Sequence, residues 1–295
     1  MNPKNPMEKI RSIVLLFVFL AAVVAERILS AETSLCISCG VVFLLSLFYI
    51  RFRRIEAATL GTNLPVLDRL FDFFHMGVDS AIAVAAVLGI EALVWRLFLG
   101  DGRLFHFGTD VVFYHEDYSF VNGGLKNCVI FLLFGGFCAM VRAVSQELFF
   151  RGIFFAHCQK VSNSPAAANV RQALGYSLFF VVATGTDLVK NIVEHAGGEK
   201  TGWSIVALLC AFLYGFVSGL RQGLVRTATG SLYAAVFSHF FLDWFYLVFN
   251  SSGVFQTPNE TLSFLLQMLC VQLVAFLPLF VRIRKAKKTQ QNADS

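Results

Sequence analysis

Apolar runs of about 16–21 residues recur along this chain, the length a helix needs to cross a hydrocarbon core roughly 30 Å thick. They are Ile10–Ala25, Leu35–Ile50, Ala81–Leu99, Val129–Val144, Ala173–Val189, Trp203–Leu220, Leu232–Phe249 and Leu262–Val281. No soluble domain repeats such runs. The composition agrees, with 57% hydrophobic and 15% charged residues against roughly 25% charged in a soluble domain. The expected fold is all-α: a polytopic membrane protein of about eight transmembrane helices around a polar intramembrane cavity.

The runs differ in their flanks. Lys4, Lys9 and Arg11 precede the first, and Val23-Val24-Ala25 would pass as a cleavage site. With further hydrophobic spans downstream, the run reads as an uncleaved first helix rather than a signal peptide. Between the second and third runs, Asn63 reads as an N-cap with Pro65 just inside. Leu67, Leu70, Phe71 and Phe74 follow at helical spacing, with Asp68, Arg69 and Asp72 between them. That pattern predicts a short amphipathic helix lying at the interface. The fourth run is expected to continue as helix to Cys158. The stretch Lys160–Gln172, with Pro165 and three alanines, reads as a loop outside the membrane.

Basic residues collect in alternate loops: the N-terminus, Arg51–Arg54, Arg151–Arg171, Arg221–Arg226, and Arg282 to Lys288. The Asp101–Asp117 loop is acidic and the Ser251–Glu260 loop nearly uncharged. Both termini are therefore expected to be cytoplasmic. The net charge of +5 reflects this sidedness and predicts no nucleic-acid partner. Small size and the absence of targeting tails point to a bacterial inner (cytoplasmic) membrane. The expected organisation is a three-helix membrane region with the interfacial helix at 1–125, a core at 126–250, a last transmembrane helix at 251–284, and a basic, disordered tail at 285–295.

The 33 phenylalanines suit lipid-facing surfaces and packed helices and identify no chemistry. The seven cysteines are odd in number and lie mostly in apolar runs, so they read as small core residues. Cys36 and Cys39 form a CxxC, but within a hydrophobic helix and without a second pair, which does not fit a zinc site.

Three runs carry polar groups that hydropathy would not place there. The fourth leads into Gln146, Glu147 and Arg151; the fifth carries Thr184 and, further on, Asp187; the seventh carries His239 and Asp243. Glu147 and Arg151 are four apart, as are His239 and Asp243, so each pair shares a helical face. Ionisable groups in hydrocarbon are costly unless partnered, and they mark functional sites. One such pair is as readily a salt bridge tying a helix end; two pairs facing a bundle interior make a site.

These residues fall into the order of three motifs, and through them the chain resembles the CPBP family, the intramembrane CAAX-protease and bacteriocin-processing proteins that include Rce-type prenyl proteases. Gln146, Glu147 and Arg151 stand at that family's Glu-Glu-x-x-x-Arg. Phe180 and Thr184 stand at Phe-x-x-x-His, and His239 and Asp243 at His-x-x-x-Asn/Asp. Arg226-Thr-Ala-Thr-Gly-Ser-Leu-Tyr233 is similar to the usual lead-in to the third motif. The resemblance covers roughly residues 131–249. It implies peptide-bond hydrolysis inside the membrane, acting on a peptide or lipidated protein. The first Glu and the second-motif His would activate water, and the third-motif pair would stabilise the oxyanion. A metal mechanism on the same carboxylate and histidines is also proposed for the family.

This chain departs at the two water-activating positions. Gln146 is a neutral amide, which cannot take a proton from water, and Thr184 is a poor base and a poor zinc ligand. Glu147, His239 and Asp243 alone remain for a metal, and no cofactor is expected. Glu147 itself, His157 or His195 would have to supply the missing base. The expected function is a CPBP-type endopeptidase with an altered site; the alternative is a catalytically inactive member that binds a membrane peptide or partner protein. A third reading takes Gly215-Phe-Val-Ser218-Gly219 with His239 as weakly similar to a rhomboid Ser/His dyad, against small-residue packing for Ser218.

Overall fold

A computed structural model of the chain describes residues 6–29, 35–98, 120–195, 199–248 and 260–293. The described residues are helical apart from short turns. In order the helices are α1 (Pro6–Leu29), α2 (Leu35–Arg53), α3 (Ala57–Leu60), α4 (Val66–Phe98), α5 (Phe120–Glu147), a π-helical turn (Leu148–Phe154), α6 (Phe155–Val161), α7 (Pro165–His195), α8 (Glu199–Thr229), α9 (Leu232–Val248) and α10 (Glu260–Ala293). Among them, Val66–Glu91, Leu132–Val161, Gly202–Thr229 and Leu262–Val281 are long and apolar enough to cross a membrane. The chain is an all-helical integral membrane protein. The Asp101–Asp117 and Gly197–Gly198 loops, most of the Ser251–Glu260 loop, and the side chains of Cys36, Cys39, Cys128 and Asp187 lie outside the described residues.

Several boundaries differ from the sequence reading. The interfacial helix and the third span are one helix, α4; no proline separates Phe74 from Ala81, and the lone Gly77 packs against the Phe241 ring within the helix. Leu67, Leu70, Phe71 and Phe74 are exposed on its outer surface. Arg69 turns inward, donating to the carbonyl of Leu64 and stacking over the Tyr233 ring at 4.7 Å. The Arg69 amide donates to the Pro65 carbonyl, so Pro65 rather than Asn63 opens the helix. The expected loop Lys160–Gln172 shrinks to residues 162–164. Ser164 Oγ accepts the Ala167 amide and Pro165 takes the first helical position, so the alanines are helix and not loop. Arg171 reaches back to the Val161 carbonyl at 2.6 Å, capping α6. The tail after Arg284 stays helical to Ala293, since its Lys, Ala and Gln residues favour helix and no breaker follows Pro278.

Helix α8 overruns its expected end at Leu220 and carries Arg221 and Gln222 into the protein interior instead of a cytoplasmic loop. It stops at Gly230, whose φ of +68° suits glycine. Ser231 then caps α9, its Oγ accepting the Ala234 amide at 3.1 Å. The Gly-Ser lead-in is therefore a helix stop followed by a helix start, and it sets the register of His239. Gly61 packs against the same corner, its carbonyl accepting the Leu232 amide.

Helices α7 and α8 approach closely through small residues. A Cβ on Gly215 would lie 2.6 Å from Ser177 Cα, and one on Gly219 would lie 2.7 Å from Ala173 Cα. This small-xxx-small seam lets two backbones meet where lipid offers no hydrophobic drive. Gly219→Val is expected to destabilise the protein by about 1–3 kcal/mol through overpacking, read as loss of thermal stability in detergent; unchanged stability would contradict the seam. On the other side of α7, phenylalanines fill the bundle: Phe19 stacks on Phe149 at 4.2 Å, and Phe150 meets Tyr176 edge-on at 4.9 Å.

Candidate active site

The apolar run of α5 ends in Ser145-Gln-Glu, and the next seven residues form the π-helical turn, all of them buried. Insertions of this kind frequently mark functional sites. Here the turn carries Arg151 beneath Glu147, and Arg151 Nη1 lies 3.0 Å from Glu147 Oε1. It is a charge contact rather than an aligned hydrogen bond, since neither Nη1 nor Nε of Arg151 has a hydrogen-bond partner. The guanidinium instead rests over the Tyr176 ring at 4.1 Å and points Nη2 at the Ser218 carbonyl, 3.5 Å away.

Helix α9 faces this pair. His239 Nδ1 sits 2.7 Å from Glu147 Oε1, and His239 Nε2 sits 3.2 Å from Asp243 Oδ2. Asp243 Oδ2 also receives Arg142 Nη2 from α5. The result is a continuous ladder, Arg142–Asp243–His239–Glu147–Arg151, alternating basic and acidic side chains across two helices. All its members are buried except Arg142, whose side chain is 25% exposed. An imidazolium donates to both carboxylates, whereas a neutral ring donates to one. Each charge in the ladder has an opposite neighbour, which is what low-dielectric burial demands.

The sequence-derived residues are thus mostly brought together. Glu147, Arg151, His239 and Asp243 form the ladder, and Gln146 lies beside it. Thr184 is buried on α7 but bonds to none of them. The α7 residue that joins the site is Tyr176, whose hydroxyl donates to Gln146 Oε1 at 2.8 Å. It precedes Thr184 by eight positions, about 12 Å of helix. His157 does not replace the missing histidine. Ten residues past Glu147, or roughly 15 Å of helix, its Nε2 pairs with Tyr49 Oη at 2.9 Å. The His195 side chain lies outside the described residues. Ser218 is buried in the α7–α8 seam, and both ring nitrogens of His239 face carboxylates, so a Ser218–His239 dyad is not formed.

Three contributors were missed in the sequence. Arg142 was passed over as the end of an apolar run, although a cation there is itself a signal. Tyr176 carries no signal, since a tyrosine in a helix is ordinary. Arg221 was assigned to a basic loop. It is instead fully buried and donates to Ser238 Oγ at 2.6 Å, Gln272 Oε1 at 3.3 Å and the Ala275 carbonyl at 3.4 Å, joining α8, α9 and α10 one residue from His239.

The donor set does not fit a metal. His239 has no ring nitrogen turned away from a carboxylate, and Glu147 Oε1 already meets two cationic groups. Among the described residues no three His, Cys, Asp or Glu side chains converge on a common point. One carboxylate oxygen remains: Glu147 Oε2 is buried and has no hydrogen-bond partner.

The chain is thus a helical membrane protein with a buried Glu–Arg pair on one helix facing a His–Asp pair on another. The sequence of the segment carrying both pairs also has a counterpart among known families. Residues 127–245 match the family model of the type II CAAX prenyl endopeptidases, Rce1-like. Over that segment the chain is similar to this family. No curated protein and no solved structure matches the chain.

Proposed function

We propose that this chain is a CPBP-type intramembrane endopeptidase acting on a membrane-associated peptide or lipidated tail, with water activation moved to Glu147. The observation that carries this reading is the unpartnered Glu147 Oε2, a buried carboxylate oxygen beside Arg151 and His239. A general base must present a free lone pair to water, and Oε2 is the one such oxygen of Glu147. In the step, water attacks the scissile carbonyl carbon and yields its proton to Oε2. The carbonyl π electrons move to oxygen as the new C–O bond forms. The tetrahedral intermediate collapses, the C–N bond breaks, and the leaving nitrogen takes the proton back from Glu147. A carboxylic acid and an amine result, and no metal or cofactor enters. Arg151 and His239 hold Glu147 Oε1, so the carboxylate cannot turn Oε2 away. Both termini lie on the cytoplasmic side in this reading, following the distribution of Lys and Arg.

Glu147→Gln keeps the shape of the side chain and removes the base. Purified in lipid nanodiscs, this variant is expected to hydrolyse a prenylated peptide roughly 10²–10⁴ times more slowly than the wild-type chain. Equal turnover would sink the assignment. The second reading, an inactive family member that binds a peptide, is favoured by the absence of a base at Gln146 and of histidine at Thr184. Efficient cleavage by the unmodified protein would defeat it.

A further inference from the structure

The geometry points to Gln146 as the hydrogen-bond donor to the substrate carbonyl oxygen, with Tyr176 as the residue that aims it. The position where the family's chemistry wants a base has become an oxyanion donor, and the base has moved one residue on. This rests on the reading of Glu147 as base.

The argument begins with Tyr176. Its side chain is fully buried. Its ring is held on several sides: Arg151 lies over it at 4.1 Å, Phe150 and Phe180 meet it edge-on at 4.9 and 5.1 Å, and the His239 ring stands perpendicular at 6.5 Å. A ring fixed in this way fixes its hydroxyl, which donates to Gln146 Oε1 at 2.8 Å. The primary amide is planar, with an acceptor oxygen on one arm and two N–H donors on the other. Once Tyr176 holds the oxygen, the nitrogen must point the opposite way. Among the described residues that nitrogen has no hydrogen-bond partner.

The ladder explains why the site needs this donor. In the family, the third-motif His and Asn/Asp are expected to stabilise the oxyanion. Here His239 faces a carboxylate with each ring nitrogen, and Asp243, in place of an amide, has no N–H to offer. Preorganised donors aimed at the developing charge commonly contribute more to acyl-transfer catalysis than any other single effect, and a side-chain amide serves in that role. Gln146 offers two such donors, and Glu147 Oε2, on the following residue, offers an acceptor. The two together match the needs of a peptide group under attack by water: a donor for its oxygen and an acceptor for the proton of the water. A carboxylate at 146 would also accept from Tyr176, but it would offer no donor and would put a second negative charge beside Glu147.

The test uses the full chain in nanodiscs with a prenylated peptide, measuring kcat and KM separately. Gln146→Leu should lower kcat by roughly 10²–10³-fold with KM changed by less than about threefold. Tyr176→Phe keeps the ring and frees the amide to rotate; kcat should fall by about tenfold at unchanged KM, because a misaimed donor fails mainly in the transition state. Gln146→Glu alone should lower kcat, whereas a lost-base account predicts a rise. Retention of wild-type kcat by Gln146→Leu or Tyr176→Phe, or a rise in Gln146→Glu, overturns the proposal. If Glu147→Gln stays active while Gln146→Leu does not, the base assignment falls and the donor stands. If the wild-type chain cleaves nothing, binding decides: it should prefer the prenylated peptide over its reduced-amide (CH2–NH) analogue by about tenfold or more, and Gln146→Leu and Tyr176→Phe should lose that preference. Equal binding of the two peptides by the wild-type chain overturns the donor role.

Discussion

If the natural chain is an inactive family member, Gln146→Glu combined with Thr184→His is expected to raise peptide turnover by roughly 10²–10⁴-fold over the wild-type chain. The two changes act together. On that reading a carboxylate at 146 restores a base, and a histidine at 184 assists it. Tyr176 would keep its hydrogen bond, since a carboxylate accepts from its hydroxyl as the amide oxygen does. Thr184 is already buried on α7, so the histidine replaces a buried side chain. A well-folded double variant with no gain in turnover would show that loss of these two side chains is not what limits the site. A gain from an undetectable baseline would favour the reading of the natural chain as a peptide-binding, inactive member.

Arg151→Met should destabilise the protein by about 3–5 kcal/mol, because it strips a buried carboxylate of one of its two cationic neighbours. Glu147 is fully buried and Arg151 nearly so, with 3.0 Å between the charged atoms. The cost comes from the charge left behind, so removing both partners should cost much less than the sum of the single losses. Glu147→Leu combined with Arg151→Met therefore makes the comparison: the double variant should recover a large part of the lost stability and remain without turnover. Equilibrium unfolding in mixed detergent measures this. If the double variant is as unstable as the two single losses added together, the pair carries no coupling and the ladder is not a unit.

The features legible in the sequence are those that live on one helix. Glu147–Arg151 and His239–Asp243 follow from a spacing of four on a 3.6-residue period, and both contacts are formed. The membrane class follows from run length alone. The boundaries that went astray did so for local reasons. Asp68, Arg69 and Asp72 mimicked the polar face of a separate helix, yet between Phe74 and Ala81 there is no proline, and the single Gly77 is carried within α4. Pro165 and the alanines resembled a loop, although proline is well placed at the start of a helix and alanine favours its interior. The π-helical turn has no sequence signature. It is held by packing against Phe19 and Tyr176.

What the sequence by itself determined is that this chain spans a membrane as helices, carries two intrahelical ionisable pairs, and has Gln146 and Thr184 where the resembled motifs have Glu and His. Only the tertiary structure decided how these parts join. It linked the pairs through His239 and Glu147, ended the ladder in Arg142, drew in Tyr176 rather than Thr184, and buried Arg221. The physical reason is the range of each interaction. Spacing along one helix is set by backbone geometry and can be read from the chain. A contact between helices depends on their rotation and depth, which the glycine seam of α7 and α8 and the Gly230–Ser231 corner set through packing.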